Sequence, residues 1–295
     1  MRLTIFTPVY NRRDLIMRLY HSLEAQTCKE FTWLVVDDGS TDGVENVLLS
    51  LKETASFPIE YIYQENHGKH TAHNAGVRAC STELFVCVDS DDTLLPNAVR
   101  TILEVDHKYS EKHILGYYFR KIDTKGNISG GSFELKREYV GLRDLYHKYN
   151  FKGELVIVLK TDLVREYEFP VFENERFVSE LVFYNEINHI APMVWFDEVI
   201  YQYEYQESGY TKNASRLIGN NPYGAACGYL SEAYFSTNLV SRVKSYAEYA
   251  AITDVFLLNK QRIPRKRIGV IVILLAKILN RHYVKLFLQI KNRER

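Results

Sequence analysis

The stretch LFVCVDSDDTLLPNA, residues 84–98, places a short apolar run directly before three aspartates, Asp89, Asp91 and Asp92. An apolar run of this length, followed by turn residues, predicts a buried strand. Three neighbouring carboxylates repel one another, and burying them is costly unless a positive charge lies nearby. We therefore expect a cation to bind at the end of this strand.

Two of these carboxylates suit a divalent metal ion. Asp89 and Asp91 lie one residue apart, so both can reach one hard cation. Mg²⁺ or Mn²⁺ commonly takes one or two carboxylates together with substrate phosphates, and the bound ion stabilises a diphosphate as a leaving group. The alternative is an acid-rich helix N-terminus, which the helix dipole favours, and it stays open for Asp91 and Asp92.

The first hundred residues alternate strand-like and helix-like segments. Short apolar or alternating runs recur at residues 3–9, 32–37, 59–64 and 84–88. Between the first two runs, one helical face carries Leu15, Ile16, Leu19 and Leu23. This order predicts βαβ units and a parallel sheet, in which ligands bind at the carboxyl ends of the strands.

A second acidic pair, Asp37 and Asp38, ends the second predicted strand in the motif VVDDGSTD. A carboxylate at this position can accept a hydrogen bond from the N–H of uracil or a similar base, and Gly39 allows the chain to turn tightly. Taken alone, the pair is better explained as a cap of the next helix. The neighbouring motifs are what favour a nucleotide site.

The segment ENHGKHTAHNAGV, residues 65–77, follows the third predicted strand. Lys69 can meet a phosphate as a point charge, and Asn74 can donate or accept a hydrogen bond near a nucleotide. His70 and His73 share a helical face and suggest a metal site. No cysteine lies near them, however, and harder ligands for the cation are present elsewhere, so we do not expect a histidine metal site.

The rest of the chain changes in pattern and in charge. Strands are predicted at residues 114–123, 155–160 and 199–206, with a helix at 176–189 and helical structure from residue 220. The formal net charge of zero is a cancellation, because residues 260–295 carry 11 Lys and Arg against the single acid Glu294, leaving 26 basic and 36 acidic residues elsewhere. An acidic body therefore ends in a basic tail.

The basic tail has the pattern of an amphipathic helix. Lys277, Arg281 and Lys285 recur every four residues among apolar residues such as Ile278 and Phe287. This pattern predicts an interfacial helix on an anionic membrane. A helix packed on the body and a dimer seam are the alternatives, while the acidic body argues against nucleic-acid binding.

Composition sets the cellular context. With 295 residues, 46% hydrophobic and 25% charged, the chain is typical of a globular protein. Its four cysteines lack CxxC spacing, which argues against zinc or a disulfide framework and indicates reduced thiols in the cytosol. The start lacks the pattern of a signal peptide, and no run reaches the roughly 18 apolar residues of a transmembrane helix.

Four ordered motifs carry a family resemblance: TPVYNR, VVDDGSTD, ENHGKHTAHNAGV and VDSDD resemble those of the family 2 glycosyltransferases. The resemblance is strong over residues 3–100 and looser over 100–210. It implies an α/β fold of the GT-A type, a Rossmann-like mixed sheet flanked by helices. We expect a catalytic domain at 1–215, divided into a nucleotide-binding half (1–110) and an acceptor half (111–215), and a helical C-terminal region at 216–295.

The resemblance also implies roles in the nucleotide pocket. Asp38 corresponds to the acid that contacts the base, with Pro8 and Tyr10 lining the pocket. Where many relatives have arginine in the sequence ARN, this chain has His73. We expect Lys69 to take over the phosphate contact.

The metal-binding motif of the family is DxD. It corresponds here to Asp89, Ser90 and Asp91, with Asp91 as the firmer ligand of Mg²⁺ or Mn²⁺.

The resemblance implies a catalytic base as well. Inversion at the anomeric carbon is a single displacement, so a carboxylate must take the proton of the acceptor hydroxyl. In the segment 174–189 only Glu180 matches the acids of relatives, since Leu181 stands where aspartate is common. An ordinary exposed helix glutamate is the alternative. Tyr203, Ser208 and Thr211 are candidate contacts in or beside a loop that closes over donor or acceptor in relatives.

These expectations combine into one hypothesis. The chain resembles an inverting, non-processive glycosyltransferase, since the processive signature QxxRW is absent. Its donor is a nucleoside diphosphate sugar, most readily a UDP-sugar. The acceptor is a glycan or lipid-linked glycan of capsule, exopolysaccharide or cell-surface synthesis, reached from the cytoplasmic side of the membrane, with a homodimer possible.

Two alternatives are carried forward. A sugar-nucleotide nucleotidyltransferase would need a glycine-rich basic loop after the first strand, which TPVYNRRD does not provide. A non-catalytic sugar-nucleotide or membrane-binding protein is consistent with the missing aspartate beside Glu180.

Overall fold

The computed structural model describes residues 1–204 and 214–293, and the chain divides into two compact units. The first unit comprises Met1–Tyr167 and Ile187–Tyr205, and the second comprises Glu168–Glu186 and Gln206–Arg295.

The first unit is built on one mixed sheet, which holds nine strands among the described residues. The strands are β1 Leu3–Val9, β2 Phe31–Asp38, β3 Ile59–Gln64, β4 Leu84–Cys87, β5 Thr93–Leu94, β6 Gly116–Asp123, β7 Tyr139–Val140, β8 Leu155–Lys160 and β9 Met193–Tyr203. Their order is β3-β2-β1-β4-β8-β6-β9-β5, with β7 paired to β9. Strands β1 to β4 pair in parallel, while β8 runs antiparallel to both β4 and β6.

Helices connect these strands and cover the sheet. They are α1 Arg13–Glu24, α2 Val44–Thr54, α3 Lys69–Ala79, α4 Ala98–Lys108, α5 Leu142–His147 and α6 Thr161–Val164. Apolar residues of α1, α2 and α4 share one core cluster with Ile5 of β1. Helix α3 packs against Phe6, the residue after Ile5 in β1. The contact is so close that a Cβ atom at Gly76 of α3 would lie 2.5 Å from the Phe6 ring.

Helices on both faces explain why the central strands are apolar throughout. Every residue of β1 and β2 is buried, whereas a sheet with one solvated face would alternate buried and exposed positions. The predicted α/β class is confirmed, with a mixed sheet flanked by helices and a helical C-terminal region.

The second unit is helical. Its helices are α7 Leu181–Ile187, α8 Ala214–Asn220, α9 Pro222–Phe235, α10 Leu239–Val255 and α11 Val270–Arg293, with one turn of 3₁₀ helix at Lys260–Arg262. Within the part of the chain that the structure describes, no helix is both long and apolar enough to cross a bilayer.

The compact units differ from the expected boundary at residue 215, because Glu168–Glu186 groups with the C-terminal helices. The Glu175 carboxylate accepts the backbone N–H groups of Tyr223 and Gly224, both at 2.7 Å, at the start of α9. The Asn221 side chain accepts the N–H of Arg176 at 2.7 Å. These contacts hold the segment in a non-helical conformation, which explains why α7 begins five residues later than the predicted helix.

A strand that was not predicted from the sequence follows the aspartates. Thr93 and Leu94 form the short strand β5, paired with Gln202 and Tyr201 of β9. Helix α4 then begins at Ala98. The pairing with β9 is a long-range contact that local sequence does not indicate.

Two glycines of α9 test the packing of the segment 168–186. A Cβ atom at Gly224 would lie 1.9 Å from the Phe177 carbonyl oxygen, whereas one at Gly228 would make an ordinary 3.4 Å contact with Ser179. We expect Gly224→Ala to lower the free energy of unfolding by about 1–3 kcal/mol or more. Gly228→Ala is the control and should be neutral or stabilising by up to about 1 kcal/mol. Urea unfolding of both variants measures this, and equal effects would contradict the packing described.

Candidate functional site

The parallel strands β1 to β4 bring several loops to one edge of the sheet. Val9 pairs with Asp37, Asp38 with Gln64, and Phe6 with Cys87, so the four strands end close together. The carboxyl ends of parallel strands are where α/β folds bind ligands. The motifs found in the sequence therefore meet at this edge.

Hydrogen bonds and one close backbone approach hold the loops after β1, β2 and β3 together. The N–H of Asn11, a residue with φ of 50°, donates to Ser40 Oγ at 2.9 Å, and the Asn11 side chain accepts the N–H of Thr41 at 2.8 Å. Gly39 has φ of 82°, and a Cβ atom there would lie 2.7 Å from the Asn66 nitrogen. Only glycine allows so close an approach in this conformation.

Asp38 holds the loop after β3. The carboxylate is buried and accepts three hydrogen bonds: from the Gln64 side chain at 2.7 Å, the His67 N–H at 2.9 Å and the Gly68 N–H at 2.7 Å. These bonds fix the turn that leads into α3. The expected contact between Asp38 and a nucleotide base stays a prediction.

Asp37 has a separate role from Asp38. Its carboxylate is buried, accepts the N–H of Ser40 at 2.8 Å and accepts the hydroxyl of Tyr61 at 2.8 Å. Burial and the neighbouring Asp37 charge raise the pKa of Tyr61. Asp37 therefore closes the turn after β2. It does not cap the next helix, because α2 begins at Val44 with Gly43 as its N-cap residue.

The other residues expected in the nucleotide pocket differ in exposure. Pro8 is buried within β1, and Tyr10, just beyond the strand, is 46% exposed. Asn74 is buried on α3. His73 lies edge-on to the rings of Phe6 and Phe85, with centroids 5.8 and 5.5 Å away, so it packs in the core beneath α3.

The acidic turn after β4 is neutralised from α3. Lys69 Nζ, at the first residue of α3, lies 2.7 Å from Asp89 Oδ1. Burial opposes ionisation of Asp89, but the charges of Lys69 and Lys121 outweigh it and lower the pKa of Asp89. The structure therefore brings together the residue expected to meet a phosphate and a residue expected to bind the metal.

The other two aspartates of the turn are shifted in the opposite direction. Burial, followed by the charge of Asp89, raises the pKa of Asp91. Burial raises the pKa of Asp92 to about 6, although its hydrogen bond with Tyr201 acts in the other direction. Burial thus opposes ionisation of both carboxylates, and a cation bound beside them would favour their ionised forms.

Tyr201 fixes the backbone of this turn. Its hydroxyl donates to Asp92 Oδ2 at 2.7 Å and accepts the N–H of Asp89 at 3.2 Å. The other oxygen of Asp92 accepts the N–H of Glu204 at 3.1 Å, and the Asp92 N–H donates to the Asp89 carbonyl at 3.1 Å. The acidic turn is therefore tied to the end of β9.

Sequence reasoning missed Tyr201, Lys121 and Arg12 at this site. Lys121 pairs with Tyr201 across β6 and β9, and its Nζ lies 4.3 Å from the centroid of the Tyr201 ring. The charge of Arg12, in the loop after β1, opposes the rise in the pKa of Asp91. Arg12 directly follows TPVYN, so its place in the motif could have indicated it. No local sequence pattern marks Lys121 or Tyr201, because strand pairing sets their positions.

The donor set of the acidic turn fits a divalent cation bound jointly with a diphosphate. No group of three or more His, Cys, Asp or Glu in residues 1–204 and 214–293 is arranged to hold a metal by itself. Asp89 and Asp91 offer two hard oxygen ligands, and Mg²⁺ or Mn²⁺ takes its other ligands from substrate phosphates and water. Ser90, between them, is buried.

Glu180 belongs to the second unit, whereas the aspartates belong to the first. It is exposed in the turn before α7, and its carbonyl accepts the N–H of Tyr184 at 3.2 Å. Its role as a catalytic base stays a prediction. Of the loop candidates, Tyr203 ends β9, while Ser208 and Thr211 lie outside the described residues.

Comparison with known proteins identifies the family of the chain. The family described as Glycosyl transferase family 2 matches residues 4–164, more than half of the chain. A Campylobacter jejuni GalNAc(5)-diNAcBac-PP-undecaprenol beta-1,3-glucosyltransferase is 25% identical over 264 residues, covering 85% of this chain and 79% of the relative. An uncharacterized glycosyltransferase of Nostoc is 35% identical over 105 residues, covering 36% of this chain.

Some curated relatives are much longer than the matched region. The match spans 33% of the Nostoc protein. It spans 26% of the Streptococcus pneumoniae glycosyltransferase GlyA, which is 30% identical over 182 residues, or 60% of this chain.

Solved structures share the fold at low sequence identity. Staphylococcus aureus TarS in complex with UDP-GlcNAc has a TM-score of 0.59 at 17% identity, covering 88% of this chain and 74% of that one. The mannosyltransferase PcManGT of Pyrobaculum calidifontis, in complex with GDP-Man and Mn²⁺, has a TM-score of 0.51 at 17% identity, with coverages of 98% and 84%. The chain has the GT-A fold and belongs to glycosyl transferase family 2.

Tyr201 offers a test of the acidic turn with a matched control. Tyr117 donates to buried Asp106 at 2.8 Å, much as Tyr201 donates to Asp92, but Asp106 also binds Arg2, which precedes β1, at the opposite edge of the sheet. We expect Tyr201→Phe and Tyr117→Phe each to lower the free energy of unfolding by about 1–2 kcal/mol. Only Tyr201→Phe should also weaken UDP binding with Mn²⁺ in calorimetry. Equal UDP affinities in the two variants would contradict this role of Tyr201.

Proposed function

We propose that this protein is an inverting, non-processive glycosyltransferase that uses a nucleoside diphosphate sugar. The observation that carries the proposal is the acidic turn at the carboxyl edge of the sheet, where Lys69 pairs with Asp89 at 2.7 Å. The charges of Lys121 and Arg12 also act on Asp89 and Asp91, respectively. A diphosphate with its metal ion matches this mixture of charges, since carboxylates bind the metal and cations bind the phosphates.

UDP is the proposed nucleotide of the donor. TarS binds UDP-GlcNAc in its crystal structure, which supports a UDP-sugar here, whereas PcManGT binds GDP-Man. In the proposed complex, Asp38 contacts the base and Pro8 and Tyr10 line its pocket. The rigid loops that Asp38 organises would hold the base without further rearrangement.

Asp91 and Asp89 are the proposed ligands of Mg²⁺ or Mn²⁺, and Asn74 and Ser90 are proposed to support the nucleotide. When bound, the ion neutralises charge on the diphosphate as it leaves. Lys69 can exchange its contact with Asp89 for a phosphate oxygen when the metal binds, so the same cation serves both states. The mannosyltransferase complex with Mn²⁺ supports a metal-dependent reaction.

Glu180 is the proposed base. Its carboxylate takes the proton of the acceptor hydroxyl, the hydroxyl oxygen forms a bond to the anomeric carbon, and the bond from that carbon to the diphosphate breaks. The nucleoside diphosphate leaves from the opposite face, which inverts the configuration. The exposure of Glu180 is consistent with access to an acceptor.

The proposed acceptor is a glycan or a lipid-linked glycan of cell-surface or capsule synthesis. The Campylobacter relative is named for an acceptor on PP-undecaprenol, and an Escherichia coli chondroitin synthase is 32% identical over 131 residues. We place the reaction on the cytoplasmic side of the membrane, where nucleotide sugars are available.

Calorimetry with and without Mn²⁺ tests the donor site. We expect UDP to bind in the presence of Mn²⁺, and Asp91→Asn to weaken that binding by about tenfold or more, because a charge-assisted metal contact is lost. Asp162→Asn is the control, since this exposed aspartate has only a 3.7 Å contact with Arg165. GDP should bind more weakly than UDP. No binding of UDP with Mn²⁺ would contradict the proposed donor.

Turnover of a UDP-sugar separates the base from the binding site. Glu180→Gln should abolish transfer or donor hydrolysis and keep UDP affinity, because the amide cannot take a proton. Glu173→Gln is the control in the same segment, where the exposed carboxylate has a surface ion pair with Arg262 at 3.4 Å. Full turnover by Glu180→Gln would remove Glu180 from the mechanism. If the wild-type chain bound UDP without turnover, the non-catalytic alternative would be favoured. The presence of Leu181 where relatives commonly have aspartate is consistent with that alternative.

A further inference from the structure

Helix α11 buries one face within the second unit and exposes apolar side chains on the opposite face. Val272, Ala276, Phe287 and Ile290 are buried on the inner face. On the outer face, Val270, Leu274 and Ile278 lie four residues apart and are 69%, 56% and 76% exposed. A contiguous exposed row of large aliphatic residues is unusual on a folded protein and marks a contact surface.

The start of α10 places further exposed apolar residues at the same end of the helix pair as the apolar start of α11. Val243 of α10 and Val272 of α11 share one small core cluster, and at the other end Lys291 donates to the Val255 carbonyl at 2.6 Å, so the two helices run in the same direction. One turn before Val243, Leu239 and Val240 are 50% and 77% exposed. Leu239 and Val240 lie outside the basic tail, so the amphipathic pattern of the tail does not indicate them.

A row of cations begins beside Ile278 on the outer face of α11 and extends beyond the apolar row. Lys277, Arg281 and Lys285 are exposed and lie four residues apart, and α11 contains no acidic residue. The segment before α11 adds the exposed Arg265 and Arg267. Exposed apolar residues therefore predominate in the first two turns of the outer face, and a row of cations begins in the third.

This arrangement fits a lipid surface better than a protein seam. The centres of protein–protein interfaces are depleted of lysine, because its charge would lose water without gaining a full set of partners. At a bilayer surface the same side chains reach the phosphates of the head groups while neighbouring aliphatic side chains enter the acyl region. Anionic lipids then gain from each cation.

We propose that the surface formed by Leu239, Val240, Val270, Ile271, Leu274 and Ile278 inserts into the interface of an anionic bilayer, with Lys277, Arg281 and Lys285 on the head groups. The bound chain is peripheral, since only the outer face of α11 and the start of α10 enter the lipid. The contact does not depend on nucleotide binding or transfer.

Vesicle flotation and a fluorescent reporter test this surface in the full chain. Trp33 and Trp195, the two native tryptophans, are buried, so Ile278→Trp provides the single exposed reporter. We expect the wild-type chain to float with phosphatidylcholine–phosphatidylglycerol vesicles, and the emission of Ile278→Trp to shift to shorter wavelength and be quenched by brominated lipid.

Two variants separate the apolar from the electrostatic contribution. The double substitution Leu274→Gln/Ile278→Gln should lower vesicle partitioning by about tenfold or more. Arg281→Gln/Lys285→Gln should lower it by about fivefold for each charge on anionic vesicles, with little change on phosphatidylcholine alone. Leu49→Gln, at an exposed leucine of α2 in the first unit, is the matched control and should bind as the wild type does. Circular dichroism and urea unfolding verify that each variant is folded.

Other outcomes would overturn the proposal. Absence of wild-type binding to both kinds of vesicle excludes a lipid surface. Flotation without a spectral shift of Ile278→Trp indicates adsorption by charge without insertion. Light scattering that shows a concentration-dependent dimer, lost in Leu274→Gln/Ile278→Gln, assigns the surface to a second copy of the chain. Because none of these measurements uses a sugar nucleotide, failure of the proposed transferase activity would leave their interpretation unchanged.

Discussion

Three like charges lie close together in the turn after β4. The structure at the carboxyl edge of the sheet depends on how their repulsion is balanced. The three aspartates of residues 89–92 lie within four positions, and Coulomb repulsion strengthens as water is excluded from them. Lys69 neutralises Asp89 from α3, Lys121 acts from β6, and Tyr201 donates to Asp92 from β9. Since each partner belongs to a different element, the turn is stable only when the sheet is assembled.

At the same edge, buried carboxylates hold the loops in fixed positions. Asp38 uses both oxygens to hold the turn into α3, and the close approach at Gly39 locks the neighbouring loops. Lys69 is the first residue of α3, so fixing this turn also positions its ammonium group beside Asp89. A preorganised edge of this kind binds a charged ligand at a lower entropic cost.

The sequence was most informative where function and local structure share a signal. Strands β1 and β3 were predicted with the bounds found, and the aspartate turn was located from an apolar run and its charges. Prediction failed where a distant contact overrides local preference. Thr93 and Leu94 form a strand because β9 is available for pairing. The predicted helix at 176–189 is shortened because Glu175 holds the start of α9.

By itself, the sequence determined the α/β class, the glycosyltransferase family and the motifs that meet at one sheet edge. Periodicity, turn residues and motif order are properties of the chain that can be read without its tertiary structure. Only the tertiary structure decided which charges balance the acidic turn and how the apolar start of α11 adjoins that of α10. Those features depend on the pairing of β6 with β9 and on helix packing, which bring together residues far apart in sequence. A local sequence pattern does not indicate which of these distant residues come into contact.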